Sequence, residues 1–248
     1  MLKAICLALA AALGSSASLA APQVATDKPL VQVGFYEFPP YSYSDEQGRP
    51  RGAILELTAR LLEHAGYQAQ IRSYPSARLY SALQDGSVQL WPGAPGKAEL
   101  AGHTLESATR LGEIVLNLYF RRDTLMPRLP EDLQGRGLIM ITGYTYWQPV
   151  NQWLNDPHLA IEQHRTSSHT SALQMLQRRR ADYLLDYQTP VEQARQQLGL
   201  RELPFIQLQR IPLHLIVSRH APGAEALRDA LDRAYQELLA AGVDLHLP

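Results

Sequence analysis

The chain has 248 residues, 46% of them hydrophobic and 19% charged, an ordinary globular composition. Its 23 basic and 24 acidic residues give a formal net charge of −1, so no strong field favours nucleic acid or an anionic membrane. The single cysteine, Cys6, leaves no disulfide framework and no thiolate cage for zinc.

Residues 1–20 read as a secretory signal peptide. Lys3 supplies the positive start, 4–13 are apolar, and Ser18-Leu19-Ala20 offers small residues for cleavage after Ala20 or one residue later. That run is too short to span a bilayer, and no later stretch is apolar enough to do so. Cys6 would leave with the peptide.

Val31, Val33 and Phe35 alternate as a strand does, and the strand runs into a loop carrying Tyr36, Phe38, Tyr41 and Tyr43 around Pro39-Pro40. Five of the nine residues from Phe35 to Tyr43 are aromatic, in a chain that is 8% aromatic. The prolines stiffen this loop, which suits either a wall for a ligand or a cap on the core. Asp45-Glu46-Gln47-Gly48 signals a turn. Ile54, Leu57, Leu61 and Leu62 then recur on one helical face up to Gly66. A strand over 68–73, a helix from Ser76 to Asp85-Gly86 and a short strand over 88–91 complete a βαβ series.

Pro92 to Gly96 should break regular structure, and an apolar strand follows over 113–120. A second βα series starts at 138–142, with a helix through Trp147 to Leu154 and a strand over 159–162. Ser168 or Thr170 caps the next helix, whose last turn should hold Arg178, Arg179 and Arg180 where cations suit the dipole. Tyr183, Leu184 and Leu185 form a strand ending at Asp186, followed by a polar helix over 190–198. A strand over 212–218 and a helix with Leu227, Leu231, Tyr235 and Leu238 on one face close the chain. The fold class is therefore α/β, with two βα lobes joined by two crossing strands and a cleft between them. Residues 22–119 with 218–248 make a discontinuous first lobe, and 120–217 make the second.

Candidate site residues gather where strands end. Asp186, at a strand's C-terminal end, could receive an ammonium group, or could serve as a turn or cap residue. Gly143-Tyr144-Thr145-Tyr146 lies between a strand and a helix, where backbone N–H groups and the Thr145 hydroxyl can hold a polar group or simply cap. Arg78 opens a helix, where a cation opposes the dipole, so a ligand is one reason for it and plain exposure another. Trp91, which could stack on a flat or cationic ligand, and Gly93 border the cleft. Lys97 reads as a solvated point charge or a ligand contact. Tyr36, Phe38 and Tyr41 are the wall. His158, His164 and His169 read as surface residues, with no metal-ligand spacing. No nucleophile elbow and no phosphate-binding loop is present, and no cofactor is expected.

In order along the chain, Gly34-Phe35 through Pro39-Pro40-Tyr41, Leu83-Gln84-Asp85-Gly86-Ser87-Val88, Leu129-Pro130-Glu131-Asp132-Leu133-Gln134-Gly135 and the segment from Leu176 to Asp186 resemble the bacterial extracellular solute-binding proteins of family 3. The resemblance covers nearly the whole exported chain. It implies a two-lobed type II periplasmic binding fold, a small-molecule solute, a membrane permease of an ABC transporter as partner, a periplasmic location and a monomer. It departs from the family at Gln89, where Asp is usual, and at Leu100, which stands where the family's arginine clamps an α-carboxylate. An apolar side chain cannot replace that guanidinium fork, which points toward a flatter, more apolar or cationic ligand. Two alternatives share the scaffold. One is an enzyme similar to cyclohexadienyl dehydratase, with Glu37, Glu99 or Asp186 as its acid. The other is a ligand sensor acting on a membrane partner in trans.

Overall fold

The computed structural model describes residues 28–247, so the signal-peptide reading of residues 1–20 lies outside the described residues. Among the described residues no helix is long and apolar enough to cross a membrane.

The first lobe opens with β1 (Leu30–Phe35), a small hairpin of β2 (Tyr43–Ser44) and β3 (Pro50–Arg51), α1 (Ala53–His64), β4 (Gln68–Ser73), α2 (Ser76–Asp85), β5 (Leu90–Gly93) and β6 (Thr104–Glu106). α1 forms because Ile54, Leu57, Leu61 and Leu62 fall on one buried stripe. α2 stops at Gly86, which adopts the left-handed conformation at φ 83. β4 and β5 flank β1 in parallel, as a strand–helix–strand series requires.

β7 (Gly112–Phe120) leads into the second lobe of β8 (Gly137–Ile141), α3 (Val150–Asn155), β9 (Glu162–Thr166), α4 (His169–Gln177), β10 (Tyr183–Tyr187) and α5 (Gln188–Gln197). β11 (Phe205–Ser218) returns, and α6 (Ala224–Ala240) packs on the first lobe beside α1. The strand order is β4-β1-β5-β11-β7-β10-β8-β9, with β6 on the other side of β11. β11 pairs with β7 over its first part, from Phe205↔Tyr119 to Leu213↔Gly112, and with β5 and β6 over its last part. β7 and β11 are thus the two crossing strands of a two-lobed type II periplasmic binding fold. The expected lobe bounds at 119/120 and 217/218 fall within them.

Four local expectations are corrected. β5 continues through Pro92 and Gly93 instead of breaking. Its ladder with β1 is the single pair Val33↔Leu90, so Pro92 is paired on one side only, where a missing N–H is tolerated. β9 lies at 162–166 rather than 159–162, because an edge strand can be as polar as Glu-Gln-His-Arg-Thr. α3 begins only at Val150, after Pro149. α4 ends at Gln177, so the three arginines follow it and do not form its last turn. Arg179 takes a left-handed φ of 57, and Arg180 N donates to Met175 O at 3.0 Å, a Schellman-type stop made without glycine. Ser168 does cap α4, its hydroxyl accepting from Ser171 N.

Candidate functional site

β1 delivers the aromatic loop to the mouth of the cleft. Backbone bonds tie the loop into a tight turn, with Phe38 N donating to Ser42 O at 2.6 Å and Tyr41 N to Phe38 O at 2.9 Å. Glu37 is held beside the loop, accepting from Ser44 N, Ser44 Oγ and Ser73 Oγ. That leaves Phe38 to enter the second lobe. Its ring lies 5.3 Å from Tyr144 and 5.0 Å from Tyr187, edge to face with the latter, and is stacked at 5.6 Å on Tyr41. Phe38 and Tyr41 are buried, as a cap on the core requires, and they form a contact surface between the lobes.

A second aromatic group sits beside it. Trp91 on β5 is buried and packs against Tyr36 at 5.7 Å and Tyr80 of α2 at 5.6 Å. A Cβ on Gly93 would overlap indole carbons Cε2 and Cζ2 of Trp91, so this glycine leaves the room in which the indole lies. Leu100 packs in the same cluster.

Polar bridges cross the cleft at its edges. Tyr41 Oη and Thr189 Oγ1 are 2.9 Å apart, and Tyr80 Oη and Thr145 Oγ1 are 3.0 Å apart. Trp147 Nε1 donates to Pro95 O at 3.0 Å. Lys97 is buried rather than solvated. Its Nζ donates to Thr145 Oγ1 at 2.9 Å and Thr145 O at 3.2 Å, and lies over the Trp147 ring. Each such bond is worth about 1 kcal/mol net. The space left between Tyr36, Phe38, Trp91 and Leu213 is about 20 Å³, with no charged side chain in its wall.

Burial pulls the Lys97 ammonium down from 10.5 to about 7, partly opposed by the Glu99 charge. A lysine released by unfolding titrates near its ordinary value of about 10.4. Between these two values the unfolded chain binds more protons, so raising the pH through this window adds stability, and below about 7 the full burial penalty stands. We predict that Lys97→Met, compared with the parent in urea, loses the part of the stability gain between pH 7 and pH 9 that this lysine supplies. A parent and a variant with the same change in stability between pH 7 and pH 9 would contradict the assignment.

Asp186 is wholly buried inside β10, not at a solvated strand end. Both oxygens are used: Oδ2 lies 2.7 Å from His169 Nδ1, and Oδ1 accepts from Tyr187 N at 2.8 Å. The expected direct ammonium contact is therefore replaced by a chain. His169 Nε2 is 3.2 Å from Tyr144 Oη, so a hydrogen-bonded chain runs from Asp186 through His169 to Tyr144. Burial pushes the Asp186 carboxyl up, against the hydrogen bond from His169. Burial also raises Tyr144, Tyr146 and Tyr187, with the Asp186 charge adding to each. Tyr80 rises to about 12 for the same first reason.

His169 is the residue the sequence reading missed. It is not a surface histidine, for its side chain is 13% exposed. Ser168 as N-cap was its only signal, since that places His169 at the first position of α4. The Gly143 turn is not a helix start, and the Thr145 hydroxyl is taken by Tyr80 and Lys97. Arg78 is exposed on α2 and is not brought to the others. Tyr146 Oη is buried without a hydrogen-bond partner. Among the described residues no group of His, Cys, Asp and Glu could hold a metal.

No protein-family model and no curated protein matches the chain. Solved structures do. A histidine kinase sensor domain with similarity to periplasmic binding proteins superposes with a TM-score of 0.68 at 20% identity, covering 87% of this chain and 92% of that one. An ancestral arginine-binding protein bound to arginine gives 0.68 at 19% identity, over 87% and 95%. An ancestral amino-acid-binding protein, a precursor of cyclohexadienyl dehydratase, gives 0.64 at 18%, over 86% and 91%. At these identities the likeness is one of fold, and the fold is that of the periplasmic binding proteins.

Proposed function

We propose that this chain is an exported, monomeric periplasmic protein that captures a small polar solute, amino-acid-like or a related amine or carboxylate, between its lobes. It would hand the solute to the membrane permease of an ABC-type importer. The observation that carries this reading is the seam itself: Phe38 and Tyr41 from one lobe meet Tyr144, Tyr187 and Thr189 from the other. A cleft whose two walls come from opposite lobes, hinged on β7 and β11, closes on what it holds. Tyr36, Phe38, Tyr41, Trp91, Gly93, Lys97, Tyr144 and Thr145 would line it, with Asp186 behind them, while Arg78 on α2 stays outside this group. Thermal unfolding against amino acids, polyamines, opines and small carboxylates tests this. A true solute at 100-fold excess over its dissociation constant adds about 2.7 kcal/mol, and a flat response across the whole panel would overturn the reading.

The Asp186–His169–Tyr144 chain favours one second reading, a proton-transfer enzyme on the same scaffold. Turnover of prephenate or arogenate, abolished by His169→Leu, would establish it in place of the first.

A further inference from the structure

The Phe38 ring occupies a box whose walls are Tyr41, Tyr144 and Tyr187, with centroids 5.6, 5.3 and 5.0 Å away. Tyr144 and Tyr187 also touch each other at 5.6 Å, so the box is continuous. Two of its three hydroxyls are turned elsewhere, Tyr41 to Thr189 and Tyr144 to His169. The Tyr41 ring lies flat against Phe38, Tyr144 is tilted by 55° and Tyr187 stands at 87°, so the surround of the centre is aromatic on three sides.

The anionic groups nearby are not offered to a guest as hydrogen-bond acceptors. Asp186 has both oxygens bonded, and Glu37 is held by Ser44 and Ser73. A primary ammonium brings three N–H donors that each need an acceptor; Tyr41 Oη and Tyr144 Oη are already bonded, and Tyr146 Oη is the one nearby hydroxyl found buried without a partner among the described residues. A group with positive charge and no N–H needs none and is attracted to ring faces. The Asp186 carboxylate lies behind the rings and reinforces this, since its charge acts on Tyr144, Tyr146 and Tyr187. Lys97, the nearby cation, is turned onto Thr145 and Trp147. With about 20 Å³ left beside Phe38, a guest in the box must displace that ring.

We infer that the cleft takes a quaternary ammonium group in the three-tyrosine box that the closed chain fills with its own Phe38 ring. This rests on the solute-binding reading above, narrows it to organic cations and takes Phe38 out of the residues that line the occupied cleft. Phe38 is then a competitor of the ligand, one that holds the lobes together until the cation replaces it.

Calorimetry on the exported chain tests the inference, with choline and tetramethylammonium as probes and 3,3-dimethyl-1-butanol as the uncharged isostere of choline. Both cations should bind, and the neutral isostere about tenfold or more weakly, the loss of a desolvated cation–π contact. Phe38→Ala should tighten the cations. Tyr187→Leu should lose them while Tyr187→Phe, which keeps the ring, retains them, with melting curves showing that each variant is folded. Equal affinity for choline and its isostere overturns the inference, and that comparison needs no variant. Weaker cation binding by Phe38→Ala also overturns it, since Phe38 would then be a wall and not a competitor. If amino acids bind and neither cation does, the quaternary-ammonium inference falls and solute binding stands. If nothing in either series binds, both fall.

Discussion

Asp186→Ala should destabilise the protein by about 3 kcal/mol, measured as the drop in unfolding free energy in urea. The carboxylate is wholly buried and satisfies two donors, His169 Nδ1–H and the Tyr187 backbone N–H. Removing it leaves both unpaired in a dry interior, and breaking one half of a buried pair costs about 3–5 kcal/mol when the orphan is charged and about 1–3 when it is not. The mechanism can be separated from lost packing. Replacing Asp186 and His169 together by leucine removes the imidazole orphan and leaves only the Tyr187 N–H unpaired, so the double variant should recover part of the loss. A single variant that loses less than about 1 kcal/mol would show that this pair does not organise the second lobe.

Gly93→Ala is the second large effect, at about 1–3 kcal/mol. The added methyl overlaps the Trp91 indole, and the indole has nowhere to go, being buried between Tyr36 and Tyr80. A shift passed to Tyr80 reaches its bond to Thr145 across the cleft. Gly93→Ala should therefore weaken closure as well as stability, seen as an altered Trp fluorescence and a lower melting temperature. Trp91→Phe in the Gly93→Ala background, with its smaller ring, should relieve the clash. A Gly93→Ala protein that melts with the parent would mean that the indole moves freely.

The first lobe was nearly all legible from the chain, because its signals are local. α1 and α2 follow from leucine spacing and from Gly66 and Gly86, and β4 from the stretch between them. The return of β11 is legible as an apolar run over its last part, while its first half, pairing with β7, is partly polar and carries no such signal. β9 lies beyond the apolar run at 159–162 because its residues are stabilised by a neighbour and not by their own apolar character. The site was harder. The aromatic loop announces itself by composition, but its partners Tyr144 and Tyr187 lie more than a hundred residues away and are brought to it only by the packing of one lobe on the other. Lys97 looks solvated until Trp147 and Thr145 arrive from the other lobe. Asp186 was found as a residue at a strand end, whereas its pairing depends on α4 docking its first residue against β10, which no local pattern encodes.

Those distant pairings all express one claim, that the two lobes form a single site that closes around one small molecule. Native mass spectrometry of the protein, purified without denaturation, addresses it most directly. The account predicts one small molecule per chain, released on unfolding and lost from a Tyr144→Ala, Tyr187→Ala double variant that still melts cooperatively. A chain that carries nothing, and takes up nothing when incubated with a periplasmic small-molecule extract, would contradict it.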